Sequence, residues 1–365
     1  MTIIDVARLA GVSPAAVSRC VNKSGYVSAE KAGRIRDSMA RLNYTPSATR
    51  PGPKPAARKG IRTGAVAFLI LSDSITPETI YRMPAFPALL EGIQQELGKC
   101  GMHLVMSRYT GQGVVPATLL PRKIDGVLIL GALDPMPEQL INSLVALPGV
   151  WVMRQHSDHQ NQLDHVFYDN KVVGPMAAEY LINRGHRHVA FIMPDARHTA
   201  YIERQDAFLK KARTLGVSAT LLTLTRKETQ TAPSQGVERV VRELVAMRRR
   251  PTGLFVPSDT SLIGVFNALR LAGVEPMRDI DLIGCNNDRM ALLQMQPRPA
   301  SIDIKLETVG QKAVEQLRCR MRNFEEPSCA RIFISPSLVP AGALEGGAIV
   351  SSPVPSRKAR RGKKS

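Results

Sequence analysis

Arg19 and Asn22 are the first residues in this chain whose types suit a defined chemistry. They stand on a short segment with Ala15, Ala16 and Ser18 as its other outward residues. In a major groove an arginine reads guanine and an asparagine reads adenine, and short neighbours let the segment enter. A small three-helix domain without a DNA partner is the alternative that spacing alone leaves open. Catalytic chemistry finds less support. No GxSxG elbow or Walker-A loop occurs, and Gly111-Gln-Gly113 lacks the third glycine of a dinucleotide fingerprint. His156-Ser-Asp158-His159 contains metal-binding types but lies among Gln and Asn, and reads as a solvated loop. His186 and His188 flank Arg187 after a helix-terminating Gly185 and read as structural. We therefore expect no enzyme, no cofactor and no metal.

The base-reading residues need a scaffold, and residues 2–42 supply one. Val6, Leu9 and Ala10 make an apolar stripe at i, i+3 and i+4 on a first helix. Gly11 provides the turn, Ser13 an N-cap and Pro14 a first helical residue whose missing N–H costs nothing. Val17 and Val21 point inward on the second helix. Ser28 caps a third, with Ile35, Met39 and Leu42 on its inner face.

The run from Thr2 to Asn22, with Gly25-Tyr-Val-Ser28 and Leu42-Asn-Tyr44-Thr-Pro46, resembles the headpiece of the LacI/GalR family of bacterial transcriptional regulators. That resemblance implies a sequence-specific regulator, a repressor in the first instance, whose homodimer grips a pseudo-palindromic duplex operator under control of a small-molecule effector. DNA contacts are expected from Thr2, Ser13, Pro14, Ala15, Ala16, Ser18, Arg19, Asn22, Ser28 and Tyr44, with Tyr26, Lys23 and Arg34 as candidates for phosphate.

Charge agrees with a polyanion partner. The net charge is +18, and residues 1–62 hold 12 Lys/Arg against three acids while the last 15 residues hold six and none. The basicity is thus concentrated at the two ends. We expect a DNA-binding domain at 1–45, a Pro/basic hinge at 46–62, a core at 63–340 and a disordered basic tail at 341–365. No run of 18 apolar residues occurs, no signal peptide is read at the start, and the odd set of five cysteines lacks a CxxC pair. A cytoplasmic protein with reduced thiols and no membrane span is expected.

Between 63 and 340, short apolar runs such as 64–71, 126–130, 189–193 and 281–284 alternate with amphipathic stretches such as 86–100, 171–184 and 261–272. This is the pattern of parallel sheets, and about ten strands argue for two α/β lobes. The resemblance extends over this core as two lobes of the periplasmic-binding-protein type. It implies three crossings between lobes, placed near 165–170, 296–303 and 323–328. It also implies an effector between lobes, met by Ser72, Arg154, Asp169, Arg204, Ser258, Asp259 and Asn286. Arg204 stands at the family's effector-contacting arginine, and Asp169 is equally able to cap the following helix. Several positions depart from the family. Met153 precedes Arg154, Ser258 precedes Asp259, Asn286 replaces an Asp and Ile304 a Gln. Fewer carboxylates suit a polyhydroxylated sugar less well.

The hinge departs too. Thr45 and Pro46 can start a helix, but Pro51, Pro53 and Pro55 break it. Arg50 and Lys54 then flank an extended strand suited to an A·T-rich minor groove, or the segment is a plain tether. The other readings of the whole chain are an architectural DNA binder with a vestigial cleft, or a cytoplasmic solute-binding protein.

Overall fold

The computed structural model describes residues 3–22, 26–42, 44, 62–72, 85–120, 123–131, 133–153 and 163–342. The chain divides into two compact units, Met1–Ala57 and Arg58–Ser365.

In the first unit, helices α1 (Ile3–Ala10), α2 (Pro14–Asn22) and α3 (Ala29–Arg41) enclose a small core of Val6, Ala7, Ala10, Val17 and Ile35. Gly11 turns the chain between α1 and α2 at φ +60°, a conformation glycine adopts without strain. The inward stripe of α1 differs from the expected one. Ala7 is buried, whereas Leu9 is 49% exposed. Residues 7 and 9 lie equally far around the helix from the line of Val6 and Ala10, so periodicity leaves the side open, and packing with Val17 and Ile35 buries the Ala7 side.

The second unit holds two six-stranded sheets. The first has the order β11-β5-β4-β3-β1-β2 and is parallel throughout. Its strands are β1 (Ala65–Leu71), β2 (His103–Tyr109), β3 (Gly126–Gly131), β4 (Gly149–Val152), β5 (Asp164–Tyr168) and β11 (Arg331–Ile334). The second has the order β12-β10-β9-β8-β6-β7, with only β12 antiparallel. It is built from β6 (His188–Met193), β7 (Ser218–Thr223), β8 (Gly253–Phe255), β9 (Asp281–Cys285), β10 (Ala300–Asp303) and β12 (Ser337–Val339). Strands β1, β4, β5 and β9 are buried along their whole length, as expected where helices cover both faces.

The described helices of this unit are α4 (Ala85–Lys99), α5 (Glu138–Val145), α6 (Asn170–Asn183), α7 (Thr199–Thr214), α8 (Arg226–Thr231), α9 (Pro233–Ala246), α10 (Asp259–Leu271), α11 (Arg289–Leu292) and α12 (Leu306–Arg322). Two glycine contacts set the helix packing. A Cβ on Gly174 of α6 would lie 2.5 Å from the Arg204 carbonyl oxygen, so its absence lets α7 sit directly on α6. A Cβ on Gly92 of α4 would lie 2.0 Å from the Glu307 oxygen, so α4 and α12 are equally close.

The chain passes between lobes three times. The first passage, from β5 into α6, falls where the sequence placed it. The second comes after β10, because β10 still pairs with β9 and only α12 returns to the first lobe. Lys305, at φ 56°, makes that turn, and its N–H donates to Asp303 Oδ1 at 2.7 Å. The third joins β11 to β12 and not residues 323–328. Arg320 holds that earlier loop in the first lobe through the Glu326 and Ser328 carbonyls and a buried ion pair with Asp164.

Candidate DNA-reading helix and effector site

On α2, Val17 is buried while Ser13, Pro14, Ala15 and Arg19 are exposed, and Ala16 and Ser18 half-buried. Ala15, Ser18 and Arg19 occupy i, i+3 and i+4 of the helix, so their Cα–Cβ bonds share one outer face, while the Asn22 side chain lies outside the described residues. Ser13 Oγ accepts from the Ala16 N–H at 3.3 Å, and Ser28 Oγ accepts from the Lys31 N–H at 3.4 Å. Both serines thus satisfy helix starts, which leaves their other hydrogen-bonding capacity facing outward. Tyr44 is half-buried against the headpiece core, and Tyr26 is exposed. Thr2, Lys23, Arg50 and Lys54 lie outside the described residues, as does the whole hinge reading.

In the core, the sequence-predicted residues gather at the carboxyl ends of strands, where ligands bind in parallel α/β sheets. Ser72 follows β1, and its N–H donates to the Tyr109 carbonyl at 3.2 Å. Asp169 follows β5 and caps α6, accepting from the Lys171 N–H at 2.8 Å. Ser258 follows β8 and caps α10 by position, and Asn286 follows β9. Arg154 and His156-Ser-Asp158-His159 lie outside the described residues.

Arg204 organises this end of the second lobe. It is 1% exposed on α7. Its Nε donates to Asn170 Oδ1 at 2.9 Å and its Nη1 to the Pro257 carbonyl at 2.5 Å. Longer contacts of 3.4 Å run from Nη1 to Asn286 Oδ1 and from Nη2 to the Tyr168 hydroxyl. One guanidinium therefore joins the ends of β5, β8 and β9 and the start of α6. The two long contacts are the weak ones by geometry.

Asp259 lies deeper. It is fully buried, and both its oxygens accept from Ser301 Oγ at 2.9 Å. Oδ2 also accepts from the Asp288 N–H at 2.8 Å. Burial pushes this carboxyl up to about 8, and the neighbouring Asp288 adds to it, while those hydrogen bonds and Arg204 act the other way. Asp259 thus ties the loop after β9 to β10. That loop holds Asn286 at φ 103° and Asn287 at φ 52°, two successive residues in the region that favours glycine.

Three aromatic or imidazole groups in this cluster were not singled out from sequence. Tyr168 is the last residue of β5. Tyr201 sits one helical turn before Arg204 and hydrogen-bonds Ser258. His198 caps α7 by position and stacks on Tyr201 at 4.0 Å and 14°. Burial lowers its pKa, with Arg204 adding to the effect, which favours the neutral ring. The spacing 198, 201, 204 around a helix start was the available signal. Cys285 is buried beside them, and burial holds its thiol up to about 12.

A helix-turn-helix unit followed by a two-lobed binding core, with polar groups gathered at the strand ends, is the build of a DNA-binding transcriptional regulator. A family model for bacterial regulatory proteins of the lacI family matches residues 2–47, and one for a periplasmic binding protein-like domain matches residues 178–342. The headpiece is thus of the lacI type, and the latter part of the core is of the periplasmic binding protein-like type. It is similar to the HTH-type transcriptional repressor PurR of Pectobacterium atrosepticum, with 27% identity over 95% of this chain and 97% of that protein. The ribose operon repressor of Escherichia coli K12 is 25% identical over 94% of this chain and 99% of its own length. Among solved structures, a transcriptional regulator CelR-cellobiose complex matches at TM-score 0.61 and 23% identity, covering 93% of this chain and 99% of that one. The lac repressor dimer bound to operator and the anti-inducer ONPF matches at 0.60 and 19%, over 93% and 98%. These two structural likenesses concern the fold. No described helix is long and apolar enough to cross a membrane.

Proposed function

We propose that this protein is a repressor whose homodimer binds a pseudo-palindromic operator and responds to a small molecule held between its lobes. The observation that carries the reading is the outer face of α2, with Arg19 exposed opposite the buried Val17. Base contacts are assigned to Ala15, Ala16, Ser18, Arg19 and Asn22. Ser13, Pro14, Ser28 and Tyr44 lie along the backbone, with Thr2, Arg50 and Lys54 in support. Two-fold operator symmetry would mirror the protein dimer. The exposed Met290 and Leu293 at α11 offer apolar surface for a second copy.

For the effector we assign Ser72, Arg154, Asp169, Ser258 and Asn286 at the strand ends, with Arg204 beneath them. The short bonds of Arg204 to Asn170 and Pro257 hold it in place. Its 3.4 Å contacts to Asn286 and Tyr168 are the ones a ligand oxygen would replace. Asp259 supports the site from behind. Simple hexoses should bind weakly, since Asn286 and Ile304 stand where the family carries Asp and Gln.

Selection of bound duplexes from a random pool tests the first part. A two-fold symmetric site with half-sites about one helical turn apart is expected, and recovery of no common sequence would refute it. Operator affinity measured across a metabolite panel tests the second. A change of at least tenfold by one small molecule is expected, and no response to any compound, with intact operator binding, would leave an architectural DNA binder.

A further inference from the structure

The amino ends of the second-lobe strands lie opposite the Arg204 cluster, and their charge is one-sided. Residues 184–188, 210–218, 247–253 and 278–281 enter or precede β6, β7, β8 and β9, and together hold nine Lys/Arg against two acids. Both acids are already occupied. Asp281 binds Arg184 and His186, each at 2.7 Å, and Asp279 binds Arg278 at 3.1 Å. Lys211 pairs with Glu179 at 2.6 Å. Arg250 acts on Asp279 through space, while Arg187, Lys210, Arg213, Arg248 and Arg249 lie in no salt bridge found among the described residues.

The backbone brings these cations together. The Ser218 N–H at the start of β7 donates to the Arg187 carbonyl at 3.3 Å. On the other side, the Thr252 N–H before β8 donates to the His188 carbonyl at 3.0 Å. Three adjacent strand entries span about 10 Å at the usual strand spacing. Over that length duplex DNA presents about six phosphate charges. The chain also leaves the core at this end. β12 runs antiparallel to β10, with Val339 opposite Ser301, and the Gly342 N–H donates to the Arg298 carbonyl at 3.2 Å. The sequence beyond it holds Arg357, Lys358, Arg360, Arg361, Lys363 and Lys364.

We infer that this basic rim of the second lobe is a second, sequence-independent DNA-backbone surface, separate from the headpiece. Guanidinium groups suit phosphate through their planar fork of donors. A protein partner would call for a central apolar or aromatic anchor. In these segments Leu215 is the one large hydrophobic that is exposed. The inference rests on the regulator reading only in naming DNA as the polyanion.

The test compares the full-length protein with R248A/R249A/R250A and, separately, with R187A/R213A, all exposed or half-exposed positions away from the core. Binding to a 60-base-pair duplex lacking the operator is followed by anisotropy between about 50 and 200 mM salt. Loss of the Arg248–Arg250 run should flatten the slope of log K against log salt by about 2.7 for each protomer that reaches the duplex. Loss of the other pair should flatten it by about 1.8. Affinity for a duplex just long enough for the operator should change less than twofold. Equal slopes for all three proteins would overturn the inference. So would competition in which poly-glutamate or phosphatidylserine vesicles, and not duplex, distinguish the variants. If the unmutated protein binds no duplex at all, the regulator reading fails as well.

Discussion

Arg204 Nε and Asn170 Oδ1 lie 2.9 Å apart, both residues buried, and their bond joins the two helices that flank the passage between lobes. Asn170 opens α6, which carries the chain out of the first lobe. Arg204 lies on α7, which follows the first strand of the second. A ligand that alters how Arg204 is held therefore acts on the segment linking the lobes.

Replacing Asn170 with Ala should leave the Arg204 Nε without a partner in a buried setting, at a cost of about 1–3 kcal/mol. Asn170→Asp keeps an acceptor opposite a cation and should cost less. Urea unfolding measures both. Equal loss in the two variants would mean that packing at residue 170, and not the hydrogen bond, is what matters.

The raised carboxyl of Asp259 makes the core sensitive to pH. Its folded pKa of about 8 lies above the ordinary unfolded value, so between about 4 and 8 the native state holds a proton that the unfolded chain has lost. Stability contributed by this group is present below about 4, falls as pH rises, and levels off above about 8. The slope is at most about 1.4 kcal/mol per pH unit. Asp259→Asn should remove that slope while still accepting from Ser301. Unfolding free energies of the two proteins across this range should therefore converge or cross, and parallel curves would show an ionised Asp259.

Arg19→Ala should weaken operator binding by about 1–3 kcal/mol and relax preference at one base position. The readout is affinity across single-base operator variants. A uniform loss on every sequence would place Arg19 on phosphate.

Gly92→Ala should loosen the contact of α4 with α12, since its Cβ would fall 2.0 Å from the Glu307 oxygen. Overpacking at such a site costs about 1–3 kcal/mol or more, because the obstacle is backbone. Gly98, on the same helix with open space around it, is the control, and Gly98→Ala should be neutral or stabilising. Thermal unfolding of the two variants decides it.

Much of this architecture was legible in sequence wherever one local pattern sufficed. Capping Ser13, turning Gly11 and the Val17/Val21 face identify α2 without any distant contact. The unbroken apolar runs of β1, β3 and β6 announce buried parallel strands. Edge strand β7, half-exposed with Ser218 and Thr220, gave no such run. Strand β5 begins with Asp164 and His165, which read as polar and are buried.

What the chain alone determined is therefore its local chemistry, namely a helix with an exposed arginine on its outer face, alternating strands and helices, and an arginine singled out by the family resemblance. The tertiary structure decided which of these meet. Asp164 can be buried in β5 because Arg320, far along the chain on α12, neutralises it. Leu9 faces outward because Val17 and Ile35, from α2 and α3, pack on the Ala7 side of α1. Arg204 is an anchor because three segments, bearing Tyr168 and Asn170, Pro257, and Asn286, converge to hold its donors. Periodicity and capping depend on neighbours within a few residues, whereas desolvating a charge depends on partners that only folding supplies.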